Sequence, residues 1–132
     1  MIKVDSLTTL ISVFDMPTSL AFYRDVLGCE VIMQSAEGDD DFDWCCLKLD
    51  GTYLMLNTAY EREFRPPAPD PLRIDTHGDT GLYFMADPDA VYEHLRGKGV
   101  EVKPPKVAPY GMKQLYLKDP DGYNICFQCP VE

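Results

Sequence analysis

The chain has 132 residues, 45% of them hydrophobic, enough for one globular domain with a proper core, and no apolar run approaches the ~20 residues that a bilayer span needs. A formal net charge of −10 argues against nucleic acid or an anionic membrane as partner and favours cationic ligands, although acidic solubility is the commoner reason for it. Five cysteines without regular spacing predict a reduced, cytoplasmic protein, and Met1-Ile2-Lys3-Val4-Asp5 does not read as a signal peptide.

Leu7 to Phe14 alternates, which predicts a strand with Leu7, Thr9, Ile11 and Val13 on one side and Thr8, Leu10, Ser12 and Phe14 on the other. Asp15 is placed to cap a helix, Pro17 suits its first turn, and Leu20, Phe22, Tyr23, Val26 and Leu27 form an apolar stripe that Gly28 ends. A strand follows at Cys29 to Met33. An acidic loop, Glu37 to Asp43, leads into a strand from Trp44 to Leu49, an Asp50-Gly51 turn, and a strand from Thr52 to Asn57. Residues 59–78 are rich in proline (Pro66, Pro67, Pro69, Pro71) and predict a connecting arm or lid, with a helical turn in Tyr60 to Arg65.

Thr80 to Ala86 reads as a strand, Asp87-Pro88 opens a helix bearing Val91, Tyr92 and Leu95, and Gly99 closes it. Val100-Glu101-Val102 is expected as a strand echoing Cys29-Glu30-Val31, and Pro104 to Gly111 as a loop. Asp119-Pro120-Asp121-Gly122 is strong turn chemistry between Lys113–Lys118 and Asn124–Gln128, which together predict a β-hairpin. One of its faces carries Leu115, Leu117, Ile125 and Phe127. The other carries Gln114, Tyr116, Asn124, Cys126 and Gln128, the make-up of a ligand surface or of a face turned to solvent.

The second half repeats the first. Gly28 to Gly51 and Gly99 to Gly122 both span 23 residues, and Thr8 to Asp15 and Thr80 to Asp87 both span 7. An offset of 71 to 72 residues with helix ends and turns in one order predicts two βαβββ modules, 7–58 and 79–130, joined by the arm at 59–78 within a single domain of residues 1–132.

At this point Val13 to Gly28, Asp87-Pro88-Asp89-Ala90-Val91-Tyr92 and Asp119-Pro120-Asp121-Gly122-Tyr123 resemble the opening, second helix and closing hairpin of the vicinal oxygen chelate superfamily. That group contains glyoxalase I, extradiol dioxygenases, and the fosfomycin- and bleomycin-resistance proteins. The resemblance implies an α+β fold of two tandem βαβββ modules forming a cup-shaped mixed sheet, assembled as a homodimer.

Metal-dependent members hold a divalent ion through His, Glu or Gln on four strands, and the resemblance carries those places to Thr8, Met55, Thr80 and Cys126. Two threonines, a thioether and one thiol are poor ligands for a hard ion that prefers imidazole and carboxylate, so no metal and no cofactor are expected. His77, three residues before Thr80, is the remaining candidate ligand. Without partners it reads as a solvated loop residue, and His94 as a surface or packing residue. The cup lining expected from strand alternation includes Ser12, Phe14, Trp44, Cys46, Tyr53, Met55, Asn57, Leu82 and Phe84. From the second hairpin it adds Gln114, Tyr116, Asn124, Cys126 and Gln128, with Tyr110 at the rim. No Asp, Glu or His is placed as a general base, nothing activates Cys126, and no catalytic residue is assigned.

Two functions fit. The first is metal-free sequestration of an aromatic or cationic small molecule, the acidic loop attracting a cation and Thr8, Ser12, Trp44, Tyr53, Met55, Asn57, Thr80, Phe84, Tyr110, Gln114, Tyr116, Cys126 and Gln128 forming the binding surface. The second is an enzyme of the lyase, isomerase or dioxygenase type with a non-standard site. A third reading of the same aromatic residues is a closed core.

Overall fold

The computed structural model describes residues 1–132. They form two compact units, Met1–Ala68 and Pro69–Glu132.

In the first unit, β1 (Thr9–Val13) leads into α1 (Met16–Leu20) and directly on into a π-helical turn (Ala21–Val26). Strands β2 (Glu30–Gln34), β3 (Trp44–Leu49) and β4 (Thr52–Thr58) follow, then a single 3-10 turn (Arg62–Phe64). Asp15 caps α1 by accepting from the Thr18 backbone N–H at 3.1 Å, with Pro17 in the first turn, where its missing N–H costs nothing. The sheet order is β1-β4-β3-β2, with β1 parallel to β4 and the other pairs antiparallel. Ile11, Val13, Cys45, Leu47, Leu54 and Leu56 are buried, as are Met16, Leu20 and Tyr23 of the helical segment.

In the second unit, α2 (Pro71–His77) precedes β5 (Gly81–Met85), α3 (Pro88–Gly97), β6 (Lys106–Val107), β7 (Met112–Lys118) and β8 (Asn124–Pro130). The order β5-β8-β7-β6 repeats that of the first sheet, including its one parallel pair, β5 with β8. The architecture is therefore α+β, with two tandem βαβββ modules.

Three expectations need correction. The proline-rich stretch contains regular structure: Asp70 accepts from the Leu72 N–H at 3.0 Å, and Pro71 occupies the tolerated first position of α2. Val100–Val102 is not a strand. Its first amide closes α3 by donating to the Leu95 carbonyl at 3.0 Å, and Pro104-Pro105, which lack the ladder N–H, postpone pairing until Lys106.

The third is a phase error in β5. Leu10 pairs with Met55, and Tyr83 with Cys126, so the first strands of the modules are related by 73 residues and the last by 71. The capping residues Asp15 and Asp87 are 72 apart. One residue of the difference is Phe14, between β1 and the cap. The other lies between cap and terminal glycine, where the first module has the π-helical turn and α3 has none. A π turn is how a helix absorbs one extra residue without losing its register at either end.

Candidate functional site

Each sheet has one face turned from its own core. On the first, the register brings Ser12 and Trp44 each opposite Asn57, and Cys46 opposite Met55, with Leu10 and Tyr53 on the same side. Thr8 lies immediately before β1 in the same phase. The predicted residues Thr8, Ser12, Trp44, Tyr53, Met55 and Asn57 thus share one face.

On the second sheet, Gln114, Tyr116, Cys126 and Gln128 share a face, because Gln114 pairs with Gln128 and Tyr116 with Cys126. Tyr83 and Met85 join them from β5, since they pair with Cys126 and Gln128. Phe84 does not join them. It stacks on Phe127 with ring centroids 5.1 Å apart, on the side where Ile125 and Leu115 are buried. Leu82 has the same phase as Phe84, and so has Thr80, one residue before β5. Strand alternation in Gly81-Leu82-Tyr83-Phe84-Met85 is uninformative because both faces are apolar, so Tyr83 and Met85 went unread. An aromatic at the same phase as Cys126 was the available signal.

The second face is a set of uncharged hydrogen bonds. Gln114, buried, donates from Nε2 to the Gln128 amide oxygen at 2.8 Å and to the Tyr110 hydroxyl at 2.9 Å. Gln128 in turn donates to the Met85 sulfur at 3.8 Å. The hydroxyls of Tyr83 and Tyr116 lie 3.1 Å apart, their rings edge to face. That hydrogen bond holds the Tyr116 phenol above its ordinary pKa. Burial pushes the Cys126 thiol up, partly offset by its bond with Tyr116, so Cys126 is a neutral thiol and no nucleophile at neutral pH. Tyr110 sits in a tight turn, closed by the Gly111 N–H on the Ala108 carbonyl at 3.0 Å, with Gly111 at φ +84°. Beside it lies a recess of about 320 Å3 lined by Lys106, Val107, Pro109, Tyr110, Gln114 and Tyr116.

His77 is no solvated loop residue. It ends α2, and its Nδ1–H donates to the Asp121 carbonyl at 2.7 Å. Its ring stacks on Tyr123 at 4.1 Å, with the Tyr123 hydroxyl 3.3 Å from Nε2. Both ring nitrogens are engaged in docking α2 on the β7–β8 turn, beside the Arg73–Asp121 ion pair at 2.8 Å. His94 is exposed on α3.

The acidic loop is occupied by the protein's own arginines. Asp40 pairs with Arg24 at 2.9 Å, Asp39 with Arg62 at 2.9 Å, and Asp41 with both Arg62 and Arg65. Arg65 also reaches the capping Asp15 at 2.8 Å. The Asp40 carboxyl is held below the usual range by Arg24. Asp39 is lowered first by the Asp41 backbone N–H and then by Arg62. Three of the loop's five carboxylates are thus already paired within the protein, which weakens its pull on a cationic ligand.

No three His, Cys, Asp or Glu side chains converge on one point. Of the places that the resemblance gives for a metal, Thr8, Met55 and Cys126 carry a hydroxyl, a thioether and a neutral thiol, and Thr80 falls on the opposite phase of β5, so the set does not fit a hard divalent ion. No helix is long and apolar enough to cross a membrane.

Solved structures share this fold along the whole chain. A bleomycin resistance determinant encoded on the transposon Tn5 superposes with a TM-score of 0.72 at 19% identity, covering 98% of this chain and 100% of that one. A bleomycin-binding protein from bleomycin-producing Streptomyces verticillus, solved with copper(II)-bleomycin, gives 0.67 at 20% identity, with 100% of both chains covered. Lactoylglutathione lyase from Agrobacterium tumefaciens gives 0.65 at 18%, covering 96% of this chain and 94% of that one. No curated protein sequence matches the chain. The family model described as Glyoxalase/Bleomycin resistance protein/Dioxygenase superfamily matches residues 4–127, and with two βαβββ modules in the matching order, the chain belongs to that superfamily.

Proposed function

We propose that this protein binds a small, flat organic molecule on the polar-aromatic face of its second sheet, and that it does so without a metal. The observation that carries the reading is the composition of that face. Tyr83, Tyr116 and Tyr110 offer rings, and the Gln114–Gln128 network fixes polar groups beside a recess of about 320 Å3, which suits a compact bicyclic ligand. Solved neighbours described as a bleomycin resistance determinant and a bleomycin-binding protein support sequestration as a use of the fold. The composition also favours binding over catalysis. The face presents phenols, amides and a protonated thiol, none of them a general base at neutral pH, and His77 is engaged elsewhere.

A neutral flat probe tests this. 2-Naphthamide should shift amide resonances in β7 and β8, and Tyr116→Ala should weaken its binding by roughly fivefold to tenfold through loss of one aromatic contact. Unchanged spectra at millimolar probe would overturn the reading.

A further inference from the structure

Within that binding reading, the hydrogen-bonding balance of the recess specifies the ligand's charge. Lys106 stands directly opposite Gln114 in the β6–β7 ladder, so its side chain lies on the same face as Gln114 and Tyr116, at the sheet edge. It lines the recess, and no residue lining the recess is acidic. Its neighbour on β7 differs, since Lys113 is held by Asp89 at 2.6 Å and lies on the opposite phase. The Tyr110 hydroxyl oxygen already accepts from Gln114, which leaves its hydrogen to donate. Both Nε2 hydrogens of Gln114 are used within the protein. Apart from the Gln114 amide oxygen, an acceptor, the side-chain polar groups left to meet a ligand at this end are donors: an ammonium with three hydrogens and a phenol with one. Around them Val107, Pro109, Tyr110 and Tyr116 supply apolar and aromatic walls.

We propose that the recess takes an aromatic acid, its ring against Tyr110 and Tyr116 and its carboxylate on the Lys106 ammonium and the Tyr110 hydroxyl. A charge-assisted contact of this kind is roughly twice as strong as a neutral one. The net charge of −10 repels anions at a distance, so any preference for an anion originates in the recess itself.

Three probes of one shape and different charge decide it: 2-naphthoate, 2-naphthamide and 2-naphthylmethylammonium, each titrated calorimetrically. The wild-type protein should bind the carboxylate at least tenfold more tightly than the amide, and the ammonium least. Lys106→Met should abolish the preference, with an unchanged thermal unfolding midpoint showing that the variant is folded. Lys106→Arg should retain the preference. Equal affinity for carboxylate and amide in the wild type, or a preference that survives in Lys106→Met, would overturn the aromatic-acid assignment and leave the binding reading standing. Binding of none of the three would overturn both.

Discussion

Gly122 shows at the scale of one residue how the closing turn is held. Its φ of +88° is one that side chains resist, and a Cβ there would stand 2.4 Å from the Ile74 carbonyl oxygen of α2. Gly28 has a similar φ, +90°, but open space around it. The two therefore separate conformational strain from steric contact. Gly28→Ala should cost about 1 kcal/mol, the price of the left-handed conformation alone. Gly122→Ala should cost roughly 3 kcal/mol or more because α2 must move off the turn. Thermal unfolding of both variants checks this, and equal losses would show that α2 does not press on the turn. The sequence made the turn legible through Asp119-Pro120-Asp121-Gly122. It left the contact hidden, because Ile74 lies 48 residues upstream in a stretch whose prolines read as irregular.

Among the elements, those with unequal faces or clear end signals were legible. Asp15, Asp87, Gly28 and Gly99 marked the helices, and β7 and β8 carried distinct polar and apolar sides. β5 failed because Leu82, Tyr83, Phe84 and Met85 give no polar side from which to set the phase. The acidic loop failed for another reason, since its partners Arg24, Arg62 and Arg65 come from separate elements and pairing is invisible to a local reading. Its carboxyls supply a test. A carboxyl whose pKa is lowered on folding contributes stability above the unfolded value of about 3.9, and that contribution is lost as pH falls through the lower folded value. Asp40 should therefore titrate below a free aspartate in carboxyl NMR, and Arg24→Ala should bring it back. Asp39 should stay low in Arg62→Ala, because its largest cause is the backbone N–H of Asp41. If Asp39 rose fully with loss of Arg62, the backbone contact would be absent in solution.

For the whole molecule, the two-module plan was legible because the spacings of caps and turns repeat, and those survive where side chains do not. The buried thiols set its behaviour in alkali. Burial pushes Cys29 up to about 11 and Cys45 up to about 12, and it raises Cys126 as well. An unfolded thiol ionises near pH 8.5, so stability is unaffected below that value and falls as pH rises from there toward 11 or 12. The denaturation midpoint should hold between pH 6 and 8 and drop by pH 10.5, by an amount worth a few kcal/mol, about 1.4 for each pH unit over which one buried thiol stays protonated. A midpoint that does not move would mean that these thiols reach water in the native state.

The π-helical turn at Ala21–Val26 also bears on how the two halves of the chain can be recombined. A chimaera that copies one module over the other with the 72-residue shift of the caps would displace both its first strand and its last by one residue, exchanging core for surface along each. The seams have to fall at Asp15 and Asp87, with Phe14 kept or dropped on one side and the π turn on the other. The widened helical turn thus marks the place where a graft between the modules can take up or give up a single residue without disturbing the sheet.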